Sequence, residues 1–128
     1  MNAKEKKYEE LLPQVAALIE GEDDRVSVMA NVASALHHAM GFFWTGFYVV
    51  SGDELRLGPF QGTVACMHIA RGRGVCGTAW EREETIVVPV RDAAGKVCAV
   101  LDIDSRELGT FDDTDRLCLE QLVGLLRF

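Results

Sequence analysis

Apolar residues in this chain keep a helical spacing as far as Leu36 and a strand spacing from Phe43 onward. That change of period restricts the fold more than any other feature. Tyr8, Leu11, Leu12, Val15, Leu18 and Ile19 fall on one face of a first helix, which Gly21 ends. Asp23 or Asp24 is placed to cap a second helix, with Val26, Met29, Ala30, Val32, Ala33 and Leu36 as its stripe. Gly41 stands past the last turn, where a left-handed cap is expected. Phe43 to Val50 and Glu54 to Phe60 read as strands joined through Ser51-Gly52-Asp53, an antiparallel hairpin. Val64 to Ile69 reads as a third strand, and Val75 to Arg82 as a short helix. Thr85 to Val90 and Val97 to Ser105 flank the Asp92-Ala93-Ala94-Gly95 turn. Asp112 then caps a final helix with Leu117, Leu119, Leu122, Val123, Leu125 and Leu126 inward, and Asp113 and Asp115 suit its positive end. Hairpins without regular βαβ alternation predict an α/β chain of the α+β kind: one antiparallel sheet flanked by N-terminal and C-terminal helices.

A length of 128 residues supports one core, so residues 1–128 are expected to form a single domain. The net charge of -7 argues against a nucleic-acid or anionic-membrane surface, either of which needs a basic stripe. No apolar run approaches the ~20 residues that cross a bilayer. The start of the chain is charged with no apolar signal segment behind it, so a cytoplasmic location is expected. Four cysteines are few for a disulfide scaffold and read as thiols.

Gly72-Arg73-Gly74-Val75-Cys76-Gly77 is a literal G-x-G-x-x-G, but a dinucleotide fold needs it inside a βαβ unit of a continuing parallel sheet, and the flanking strands read as hairpins. A tight turn into a short helix is the better reading. Asp102 and Asp104 carry the strongest site signal. They alternate with Leu101 and Ile103, so both carboxylates point away from the core, about 7 Å apart along the strand. Confined in a pocket, one raises the other's pKa and can hold a proton near neutrality, or the two can bind an ammonium group; an ordinary solvated strand face is about as plausible. Trp44 and Tyr48, four apart on a strand, share a face and either wall an apolar or sulfur-containing group or, by the commoner reading, pack in the core. Cys98 and Cys118 sit in apolar runs and read as buried and inert. Cys66 precedes a loop. Cys76 lies at a predicted helix start near Arg71 and Arg73, where dipole and charge both favour thiolate. With no C-x-x-C and with His37-His38 on the distant second helix, no metal site is expected. His68 is a lone strand histidine, read as structural.

Phe43-Trp44-Thr45-Gly46-Phe47-Tyr48, Leu57-Gly58-Pro59-Phe60-Gln61-Gly62, Ala65-Cys66, the Gly72 to Trp80 run and Val100-Leu101-Asp102-Ile103-Asp104-Ser105 resemble, in order, the motifs of the free methionine-(R)-sulfoxide reductase family. The resemblance implies a GAF fold and reduction of the free amino acid's R-sulfoxide. Trp44 and Tyr48 would enclose the methyl-sulfur end, and Asp102 and Asp104 would hold the α-ammonium or supply a proton. An acid left unpaired by a peptide-bound residue explains selectivity for the free amino acid. In the family chemistry a thiolate becomes a sulfenic acid, a second cysteine closes a disulfide, and thioredoxin, recharged from NADPH, reopens it. Cys66 matches the resolving position and Cys76 the other motif cysteine. No bound cofactor is implied, and a homodimer is suggested.

One departure matters. The family's attacking cysteine lies in a G-H-I-A-C loop ahead of the I-V-x-P strand, and here Glu83-Glu84-Thr85 runs straight into Ile86-Val87-Val88-Pro89. Either the protein lacks this lid and nucleophile, or roughly twenty residues are missing from the sequence as it stands; the intact remainder favours omission. A genuine loss would leave a catalytically silent GAF module that binds an amino acid as a sensor. The same gap leaves the family's substrate-binding glutamate without a match, with Glu84 its nearest neighbour.

Overall fold

A computed structural model describes residues 2–70 and 84–128. Helices α1 (Ala3–Ile19) and α2 (Arg25–Met40) precede strands β1 (Trp44–Ser51), β2 (Glu54–Gln61), β3 (His68–Ala70), β4 (Glu84–Arg91) and β5 (Val97–Ser105), and α3 (Asp113–Val123) follows. The strands form a five-stranded sheet in the order β3-β2-β1-β5-β4, and every recorded pairing is antiparallel. That rules out the parallel crossover a dinucleotide reading of Gly72 to Gly77 needs; the motif itself, Cys76 and the predicted Val75–Arg82 helix lie outside the described residues.

Local chemistry sets the ends of the helices. Asp24 caps α2 by accepting from the Ser27 amide at 3.0 Å, and Gly41 closes it in the left-handed region at φ 70°. Asp112 and Asp115 form a reciprocal capping box at the start of α3. Asp115 does more than complement the dipole: it is fully buried and accepts from Tyr8 Oη at 2.6 Å and Lys4 Nζ at 2.7 Å, which ties α1 to α3. Burial first, then the Asp115 carboxylate, hold the Tyr8 hydroxyl protonated far above the usual phenol range.

The helices cover one face of the sheet. Tyr8, Leu11 and Val15 of α1, Val28, Val32 and Leu36 of α2 and Leu119 and Leu122 of α3 join Phe47, Val88, Val90, Leu101 and Ile103 in one cluster. Three stripes come out rotated from the expected ones. Val26 is 61% exposed and Ala30 is exposed, with Val28 inward in their place; Leu18 and Leu117 also face out. An apolar stripe wider than the partner surface leaves its edge residues in water, and intervals of three and four do not say which edge. The third strand is shorter than predicted, starting at His68 where Val64 was expected.

Candidate functional site

The site is on the face that the helices leave. Cross-strand partners share a face, so the register Trp44↔Asp104, Gly46↔Asp102 and Tyr48↔Val100 sets the aromatics of β1 beside the acids of β5, while β4 adds Thr85 opposite Asp104 and Val87 opposite Asp102. Trp44 (3% exposed) and Tyr48 (4%) are as buried as the core, yet neither belongs to the helix-side cluster. They form a second apolar layer with Phe60: the Trp44 ring stacks at 5.2 Å on Phe60 and at 6.0 Å on Tyr48.

Two glycines make room for that stack. A Cβ on Gly46 would fall onto Phe60 Cβ and within 2.5 Å of the Trp44 ring, so the indole lies directly over the glycine. Gly62, at φ 129°, is a position where a side chain would both strain the backbone and strike Trp44 Cδ1 at 2.7 Å. Gly46 and Gly62, one from each motif, therefore make room for the same indole. Gly46→Ala is expected to push the indole off Phe60 and cost about 1–3 kcal/mol by overpacking, read as a lower denaturation midpoint together with altered near-UV dichroism of the tryptophans. An unchanged near-UV spectrum would refute the role.

The polar ends of the two aromatics do something the sequence reading missed. Trp44 Nε1 donates to the Thr63 carbonyl at 2.9 Å, and Tyr48 Oη donates to the Cys66 carbonyl at 3.0 Å. Both bonds hang the β2–β3 loop over the stack, and so fix the half-buried Cys66 beside it. Nothing in the spacing of Trp44 and Tyr48 announced a loop nineteen and eighteen residues away.

Asp102 and Asp104 are each 9% exposed, which answers the solvated-face alternative: these are enclosed carboxylates. Thr85 Oγ1 lies 2.9 Å from Asp102 Oδ1 and 3.2 Å from the Ile103 carbonyl. Glu84 is turned the other way. It pairs with Ser105 on the helix side, and its carboxylate accepts from the amides of Gly109 at 2.6 Å and Phe111 at 2.9 Å, stapling the β5–α3 connection. Alternation along β4 makes the two neighbours face opposite sides, so the residue beside the acids is Thr85.

The other cysteines are set apart. Cys98, on the Asp102 side of β5, is about 13 Å along the strand from Asp102 and directs its thiol to the Val90 carbonyl at 3.5 Å. Cys118 is on α3, where burial and then Asp115 push its thiol up, away from thiolate. Both are half-buried, less enclosed than expected. His68 pairs with Glu54 at 3.1 Å across β2 and β3 on the surface. Among the described residues, no group of three or more His, Cys, Asp or Glu could hold a metal ion, and no helix is long and apolar enough to cross a membrane.

A five-stranded antiparallel sheet with helices on one face and buried carboxylates beside an aromatic stack on the other is the plan of a GAF domain. No family model matches the chain. Individual proteins do. GAF domain-containing protein A of Dictyostelium discoideum is 41% identical over 97% of this chain and 92% of its own. The free methionine-R-sulfoxide reductase of Escherichia coli is 36% identical over 93% of this chain and 86% of its own. The crystal structure of the Neisseria meningitidis free methionine-R-sulfoxide reductase in complex with its substrate superposes with a TM-score of 0.88 at 39% identity, covering 98% of this chain and 89% of that one. The chain belongs to the free methionine-R-sulfoxide reductase family, as its motifs implied.

The alignments show a length difference of the same size as the departure. That with the Dictyostelium protein runs over 146 positions, yet 97% of 128 residues is about 124, so some 22 positions have no counterpart here. The E. coli alignment gives the same picture: 142 positions against 93% of 128, about 119. The full sequence passes from Thr85 directly into Ile86, and β4 pairs with β5 without interruption from Glu84 to Val90. The family's loop segment is absent from the sequence as given.

Proposed function

We propose that this protein binds free methionine-(R)-sulfoxide on the face of its sheet opposite the helix-packed core and reduces it to methionine. One observation carries the reading: two carboxylates, each 9% exposed, on the face opposite the helix-packed core and beside a stacked indole. Such a pair matches an α-ammonium that a peptide-bound methionine lacks, and the pairing of an enclosed acid with that charge is what selects the free amino acid.

The chemistry needs a thiolate. It attacks the sulfoxide sulfur while the oxygen takes a proton from the carboxyl pair and passes to the cysteine as sulfenic acid. The substrate sulfur gains two electrons, the cysteine loses two, and methionine leaves. A second thiol then displaces water to form a disulfide, which a thioredoxin-type dithiol reopens by exchange, itself recharged by NADPH. With the loop cysteine absent, Cys66 and Cys76 are the motif thiols that remain for these roles. A dithiol reductant implies a reducing compartment, the cytoplasm, and a homodimer is proposed by the resemblance alone.

The missing segment of some 22 positions favours a second reading, an amino-acid-binding sensor that turns nothing over. An assay of the protein with free methionine-(R)-sulfoxide, thioredoxin, thioredoxin reductase and NADPH separates the two. NADPH oxidation that Cys66→Ser slows supports the reductase with Cys66 in the thiol cycle. Binding of the sulfoxide with no NADPH oxidation above background leaves the sensor.

A further inference from the structure

Thr85 occupies a place that no family motif above assigns. Its hydroxyl stands between two acceptors, Asp102 Oδ1 at 2.9 Å and the Ile103 carbonyl at 3.2 Å. A threonine hydroxyl has one proton to give and lone pairs to receive another. When Asp102 is ionised, the hydroxyl donates to the carboxylate, a charge-assisted bond. When Asp102 is protonated, the hydroxyl can turn its own hydrogen to the Ile103 carbonyl and accept the acid's proton. No backbone movement is needed for either arrangement. The backbone register puts Thr85 opposite Asp104, yet its side chain reaches diagonally to Asp102.

We propose that Thr85 is a positioning residue that orients Asp102 and favours its ionised form for binding the substrate's ammonium group. The inference rests on the reading of this face as the sulfoxide site.

Thr85 is exposed, and valine, which is nearly the same shape and favours strands, removes only the hydroxyl. The donated bond to a carboxylate is stronger than one between neutral groups, so its loss disfavours the ionised acid. The test is titration calorimetry of L-methionine-(R)-sulfoxide with the wild type, Thr85→Val and Thr85→Ser between pH 4 and 8. In the wild type affinity falls on the acid side as the carboxylates protonate. In Thr85→Val that fall is expected to begin roughly half to one pH unit closer to neutrality, with the melting temperature little changed, and Thr85→Ser restores the wild-type profile. A Thr85→Val profile superposable on that of the wild type overturns the proposal while leaving the site reading in place. Absence of binding by the wild type at every pH overturns the site reading and this inference with it.

Discussion

Asp115→Ala is expected to lower stability by about 3 kcal/mol, enough to move the melting temperature down by roughly 10 °C in a domain this size. The carboxylate is fully buried and receives three donors: Tyr8 Oη at 2.6 Å, Lys4 Nζ at 2.7 Å and the Asp112 amide at 3.0 Å. Alanine removes the acceptor of the Tyr8 hydroxyl and the Asp112 amide, while Lys4 keeps the Thr110 carbonyl at 3.0 Å and Asp112 at 3.3 Å; a buried donor left without a partner costs more than a hydrogen bond contributes. The Tyr8 hydroxyl is affected most, because burial holds it protonated and gives it no water to turn to. Tyr8→Phe is the complementary change. It leaves Asp115 its other two donors and should cost about 1 kcal/mol. Thermal denaturation of both variants checks the ordering; an Asp115→Ala midpoint within 2 °C of wild type would contradict the anchoring role.

Asp115 also shows where sequence reading stops. Its position in the first turn of α3 is legible, and so is its suitability for the helix dipole. Its bond to a tyrosine 107 residues earlier is not, because the period of a helix says which way a residue points and nothing about what meets it there. The elements whose ends carry capping chemistry came out as read: Asp24, Gly41 and Asp112 each stand where a local rule puts them. The apolar stripes did less well. Val26, Leu18 and Leu117 match the helical spacing and face water, since the width of the partner surface is a tertiary property.

The strand face was legible for a different reason. Period two allows no intermediate answer: once Leu101 and Ile103 are core, Asp102 and Asp104 must face the other way. The structure applies the same alternation against the expectation of Glu84 at the site: Glu84 and Thr85 sit side by side and serve opposite faces, one stapling backbone and the other touching the acid. What stayed hidden was the enclosure. That Trp44 and Tyr48 use their polar ends to hold the Thr63–Cys66 segment against the sheet depends on loop conformation, and no periodicity reports it.

Asp104→Asn is expected to weaken binding of free methionine-(R)-sulfoxide at least thirty-fold, since removing one partner of an enclosed charge pair costs about 2–5 kcal/mol. Asparagine keeps the size and hydrogen-bonding capacity of the side chain and removes only the charge, so the loss reads electrostatics and not packing. A second ligand isolates the group concerned. The N-acetyl sulfoxide, which has no ammonium, should bind the wild type poorly and discriminate little between wild type and variant, so the preference for the free amino acid collapses in Asp104→Asn. Calorimetry of both ligands with the wild type and the variant checks the claim. Unchanged sulfoxide affinity would make Asp104 dispensable for binding and remove the basis for the reductase reading.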